Sequence, residues 1–228
     1  VEAAVTTIAV IGDSQAQGLV YYGNLSDQLV AQGLQYIGGY QLPGAATREI
    51  TASLPRLFDR TTPDVVLVFA GGNETVGDSQ VESWRSLVEA LRAYGVRQIF
   101  WVSPPASPDP TRDRGRAAVS AAQRPVVEAA GATWISGRDT AQGIPRRDDV
   151  HLTNDGYRIW ARRIAGIVGP ATRGSYTPVI IGLAGLAAAY LVKPYRGPIL
   201  IATLALSTLL YYRETRAGKT PQLLPRSN

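Results

Sequence analysis

The 228 residues contain a single histidine, His151, in the run Asp148-Asp149-Val150-His151-Leu152-Thr153. Far upstream, Gly12-Asp13-Ser14 follows the apolar run Thr6–Ile11. A hydroxyl nucleophile needs a neighbouring base, and imidazole exchanges protons near neutral pH without a large shift in its pKa. If this chain does hydrolytic chemistry through a serine, His151 is the only imidazole available as the base. Cysteine is absent, which excludes disulfides and thiolate metal sites, and one histidine leaves no zinc ligand set of the usual kind. The residues therefore imply no metal and no cofactor.

Each piece also has a plainer reading. Gly12-Asp13-Ser14 can be a strand-to-helix turn with Asp13 or Ser14 as the N-cap. Gly71-Gly72-Asn73 and Gly44 can be turns that exploit positive φ. Asp148 can be a solvated carboxylate in a charged loop, and His151 a structural histidine.

The elements that would position these residues alternate along the first 170 positions. Thr6–Ile11, Gln35–Tyr40, Asp64–Ala70, Gln98–Val102 and Thr133–Ser136 read as strands. Asp64–Ala70 (DVVLVFA) is almost uninterruptedly apolar, as expected of a strand covered on both faces. Between them lie helical patterns: one from Ser14 to about Gln32, then Thr47–Arg60, Gln80–Tyr94, Pro110–Ala130 and Thr153–Val168. Pro125 should kink or split the fourth. Five strands separated by helices predict a parallel sheet with helices on both faces. Sites in such sheets form where loops leave the carboxyl ends of strands, and Ser14, Asn73 and Ser103-Pro104 all fall there.

Gly12-Asp13-Ser14 with Gly18, then Gly44, then Gly71-Gly72-Asn73, then Asp148-x-x-His151 resembles, in order and spacing, the SGNH hydrolases, the GDSL esterase/lipase family. The resemblance spans about residues 6–168 and implies a flavodoxin-like three-layer α/β/α fold. It implies Ser14 as nucleophile, His151 as general base and then acid, and Asp148 as the carboxylate orienting the imidazole. The backbone N–H groups of Ser14 and Gly44 and the side-chain amide of Asn73 would form the oxyanion hole. Two departures stand out. Glu74 occupies a position where the family often has aspartate, and Asp149 beside Asp148 offers a second partner for His151.

Composition changes after Gly169-Pro170. Residues 1–170 carry 16 arginines against 17 acidic residues, whereas 171–228 carry seven basic residues against Glu214 alone. The +5 net charge thus belongs to the tail, which argues against a nucleic-acid-binding face on the first domain. Gly174–Val192 and Gly197–Tyr212 hold no charge, and Lys193-Pro194-Tyr195-Arg196 joins them. At 1.5 Å per residue they reach about 28 and 24 Å, against a hydrocarbon core of ~30 Å. The expectation is a hydrolase domain over 1–169, a transmembrane hairpin over 170–217 (helices near 175–192 and 198–212) and a polar tail over 218–228. The alternative is a pair of helices packed on the domain or on a partner.

A hairpin leaves both termini on one side. Arg162, Arg163, Arg173, Arg213, Arg216 and Lys219 there outnumber Lys193 and Arg196 in the turn, and no basic, apolar leader opens the sequence. This favours a hydrolase domain facing the cytoplasm or the interior of a membrane-bearing particle. The resemblance implies a carboxylic ester as substrate. An O-acetyl group on a carbohydrate or cell-wall polymer is favoured because no long apolar lid insertion is visible, while the hairpin points toward a lipid or thioester. A third expectation, of another class, is a structural membrane component of a virion or envelope assembly that retains the fold. Oligomeric state is left open.

Overall fold

Runs rich in β-branched and aromatic residues form five strands: β1 (Thr7–Gly12), β2 (Gln35–Gln41), β3 (Val65–Phe69), β4 (Gln98–Val102) and β5 (Thr133–Ile135). In this computed structural model, which describes residues 5–59 and 61–173, they make one sheet in the order β2-β1-β3-β4-β5. Every pairing is parallel, with Val10 opposite Gly39 on one side and Leu67 on the other. All five residues of β3 are buried, as the apolar run predicts. The expected α/β architecture is therefore present. The chain divides at Ser175, and the expected hairpin and polar tail lie outside the described residues. Among the described residues no helix is long and apolar enough to cross a membrane.

Alternation along the strands supplies two cores. Val65, Leu67 and Phe69 face Leu19 of α1 (Ser14–Tyr21), Leu25 and Leu29 of α2 (Leu25–Ala31), and Trp160 and Ile164 of α7 (Asn154–Arg173). Val66 and Val68 face Ile50 and Leu54 of α3 (Thr47–Leu57), Trp84 and Leu87 of α4 (Asp78–Ala93), and Val119 and Val127 of α5 (Pro110–Ala129). Each such side chain, fully buried, contributes roughly 1.5–3 kcal/mol. The chain leaves β1 toward β2 and returns past it to β3. That reversal puts a crevice at the carboxyl ends of β1 and β3, where ligands bind in open α/β sheets.

Three helical expectations change. The first helix splits into α1 and α2 at Gly23-Asn24: Asn24 adopts φ 51°, and the Tyr22 and Gly23 N–H groups both close on the Gly18 carbonyl. In contrast, α5 runs unbroken through Pro125. Gln123 and Val127 are buried on one side of it, while Pro125 and Ala121, whose carbonyl loses its donor, are exposed to water. Likewise α7 continues past Val168 to Arg173 with Pro170 on its exposed side, and a short α6 (Gly137–Thr140), capped by Ser136, precedes it.

Candidate active site

Strand β1 ends at Gly12, and a sharp turn starts α1 at Ser14. Gly12 has φ +153°, and a Cβ there would stand 2.3 Å from the Phe69 carbonyl oxygen, so backbone and space both demand glycine. Asp13 is the N-cap and accepts from the Gln15 N–H at 2.8 Å. Ser14 is thereby the first residue of the helix, and its hydroxyl and N–H lie at the positive end of the helix dipole. Asp13 is buried, and burial raises its pKa to about 6. The Gln15 N–H, the Arg116 charge and the Gly72 N–H pull the other way.

The histidine arrives on a turn that organises itself. Asp148 Oδ1 accepts from the backbone N–H groups of Val150 (2.7 Å) and His151 (2.6 Å). The same carboxylate meets His151 Nδ1 at 3.1 and 3.2 Å. Those N–H bonds, led by that of His151, hold the Asp148 carboxyl well below the usual range, so it is a carboxylate at neutral pH. With Nδ1 donating to Asp148, Nε2 is the acceptor nitrogen, and it lies 3.2 Å from Ser14 Oγ. The carboxylate that meets the ring is that of Asp148, while Asp149 accepts from Ser107 Oγ through its backbone carbonyl at 2.8 Å.

Gly44 and Asn73 sit on neighbouring loops. The Leu42 N–H bonds the Gly12 carbonyl (2.8 Å) and the Ala45 N–H bonds the Leu42 carbonyl (3.0 Å), folding the loop after β2 against the end of β1. Gly44 takes φ +80° with open space where a side chain would project. Asn73 Nδ2 donates to the Ala45 carbonyl at 3.1 Å and, at a long 3.4 Å, to Asp13 Oδ2. The structure thus gathers Ser14, Gly44, Asn73, Asp148 and His151 at one end of the sheet. One Asn73 N–H is held only by the long 3.4 Å contact to Asp13.

Several supporting residues have no signature in the sequence. Gln15 is buried, donates from Nε2 to the Val150 carbonyl at 2.8 Å and accepts from Tyr157 Oη at 3.3 Å. Arg116 is buried and bonds the Pro105 carbonyl at 3.2 Å. Arg146 bonds the next carbonyl, that of Ala106. Asp113 receives Arg138 through both oxygens (2.6 and 3.0 Å) and the Ser107 N–H (2.9 Å), contacts that lower its pKa to about 2. These bonds fix the loop after β4, which in turn holds the histidine loop through Ser107. Only the three-dimensional packing brings such distant positions together.

A sequence model of the GDSL-like Lipase/Acylhydrolase family matches residues 10–159. The chain belongs to this family. It is an SGNH-type serine hydrolase of carboxylic esters, and the matched span runs from β1 into the first turns of α7. No curated protein sequence matches it. Among solved structures, the acetyl xylan esterase AlAXEase is similar over 71% of this chain and 99% of its own, with TM-score 0.61 and 20% identity. A catalytic mutant of an acetylxylan esterase from Geobacillus stearothermophilus is similar over 72% of this chain and 94% of its own, with TM-score 0.57 and 15% identity. At these identities the likeness is one of fold, and it spans nearly the whole of those enzymes. Ser14, Gly44, Asn73, Asp148 and His151 are thus seated on a fold similar to that of those esterases.

Proposed function

We propose that this GDSL-like hydrolase cleaves an O-acetyl ester on a carbohydrate or cell-wall polymer through an acyl-enzyme on Ser14. The observation that carries the chemistry is the relay Ser14 Oγ–His151 Nε2 at 3.2 Å and His151 Nδ1–Asp148 at 3.1 Å. Ser14 Oγ attacks the ester carbonyl carbon while its proton passes to His151 Nε2. The Ser14 N–H, the Gly44 N–H and the Asn73 amide receive the oxyanion. One such donor is worth roughly 3–4 kcal/mol in the transition state. His151 then protonates the departing sugar oxygen as the carbon–oxygen bond breaks. Water repeats the sequence on the acyl-serine, releasing acetate and returning the proton to Ser14.

One observation favours an acetylated polymer over a bilayer lipid. The similar solved structures are of esterases named for acetylated xylan. Helix α7 begins three residues after His151 and runs about 30 Å to Arg173. Near that far end, Gln98 at the start of β4 bonds the Ala171 carbonyl at 3.5 Å. Helix α7 therefore ends beside the amino end of β4. We assign the uncharged segments 175–192 and 198–212 to a membrane hairpin, with the domain on the side of both termini. Retention of the full chain in membranes after alkaline carbonate extraction tests this, and release into the supernatant contradicts it. Acetate release from acetylated xylan or acetylated peptidoglycan, with no fatty acid release from lysophospholipid, is the result expected for the substrate. The reverse pattern would replace the glycan by a lipid.

A further inference from the structure

We infer that Glu74, which stands where the family often has aspartate, is a positioning residue that fixes the oxyanion donors by clamping the start of α3 to the loop after β3. Its two oxygens take two different donors. Oε1 accepts the backbone N–H of Thr47 and Oε2 the indole N–H of Trp84, each at 2.5 Å. Thr47 is the first residue of α3, so this N–H has no acceptor within its own helix. Trp84 is fully buried in the core under α4, which makes it a fixed post rather than a mobile surface partner.

The neighbouring residue completes the clamp. Asn73 Nδ2 bonds the Ala45 carbonyl at 3.1 Å, so residues 73 and 74 grip the segment 45–47 at two points, one a donor and one an acceptor. Gly44 immediately precedes that segment. The relative placement of the Gly44 N–H and the Asn73 amide therefore depends on the Glu74 carboxylate. The reach matters as well as the charge: aspartate is one methylene shorter and cannot span the same two donors from the same backbone. Glutamine keeps one acceptor but turns an NH₂ toward either Thr47 or Trp84. The inference rests on the hydrolase reading for the role of the donors, whereas the clamp itself is independent of it.

The test uses the full chain and 4-nitrophenyl acetate, with active sites counted by fluorophosphonate titration. Glu74→Gln and Glu74→Asp should each lower kcat per titrated site ten- to a hundredfold, in keeping with about 100-fold for a misplacement near 1 Å, and KM should move less than twofold. Thr47→Pro removes that N–H together with the buried Thr47 side chain, so the comparison is of Glu74→Gln made on the two backgrounds. Proline is favoured at a first helical position, and Ala46 before it already has φ −85°, ψ 165°. On that background Glu74→Gln should cost clearly less than on the wild type, because the shared bond is already gone. A merely structural role would lower the count of titrated sites and leave kcat per site unchanged, and that result would overturn the inference. Proton NMR of the Trp84 indole and Thr47 amide supplies a readout that needs no turnover. Both resonances should move upfield in Glu74→Gln, and unmoved resonances would remove the clamp even if the chain hydrolyses esters. If the wild type turns over no ester, the hydrolase reading fails, and the two resonances still decide the clamp.

Discussion

Gln15 Nε2 donates a 2.8 Å hydrogen bond to the Val150 carbonyl, so the residue after the proposed nucleophile is tied to the residue before the proposed base. Tyr157 Oη closes the other end of the same amide at 3.3 Å. A single buried side chain thus sets the separation of Ser14 and His151, which lie 137 residues apart in sequence. Replacement by leucine, similar in size, removes both bonds. Gln15→Leu should lower kcat/KM for a small acyl ester at least tenfold. It should also cost about 1–3 kcal/mol in urea unfolding, because the buried Tyr157 hydroxyl and Val150 carbonyl lose partners. Unchanged kcat/KM in that variant would show that the two loops hold their distance without Gln15.

Asp148 acts on the backbone and on the ring together. Asp148→Asn keeps one acceptor oxygen for the Val150 and His151 N–H groups but favours the wrong imidazole tautomer. The expected loss in kcat approaches 10⁴-fold, with the turn retained, measurable by steady-state kinetics and by the unfolding midpoint. Combining it with Ser14→Ala should add little further loss, since residues acting as one unit are strongly non-additive. Additive losses would contradict a shared relay.

The carboxylates push stability in opposite directions with pH. Burial raises the folded pKa of Asp13 from 3.8 to about 6, so its ionisation costs stability: nothing well below pH 4, and the full amount above about pH 6. Integrated, the cost is roughly 3 kcal/mol. Asp148 has the opposite sign. Its folded pKa lies below the unfolded value, so its contribution is present above about pH 4 and lost as the pH falls further. Asp13→Asn keeps the N-cap acceptor and removes the charge that faces Arg116 and Glu74. Between pH 4 and 6 the wild type should lose stability relative to Asp13→Asn as pH rises, by thermal unfolding in a pH series. A constant difference across that window would contradict the burial account.

Much of this arrangement is legible along the sequence because each part carries local physics. The continuous apolar run of β3 implies burial on both faces, and Asp148-x-x-His151 is a turn whose carboxylate reaches backbone and ring alike. Gly12 reads as a turn glycine, although only the structure reveals the Phe69 carbonyl against which it fits. Pro125 is the instructive failure. Its helix survives because burial of Val119 and Val127 outweighs one lost bond on the exposed side, and burial is a tertiary property. The split at Asn24 is decided by one residue at φ 51°, below the resolution of a periodicity argument. Gln15, Glu74 and Ser107 act through partners far away in the chain or through backbone atoms, which no spacing rule encodes.

The central claim is that Ser14 is the nucleophile and His151 its base, and one measurement addresses both. Purified full chain is treated with a fluorophosphonate and digested, and the adduct is located by mass spectrometry, in parallel with His151→Ala. The account predicts one adduct per chain, on Ser14, in the wild type, and labelling slowed by at least a hundredfold in His151→Ala. An adduct on another residue, or equal labelling rates in the two proteins, would contradict it.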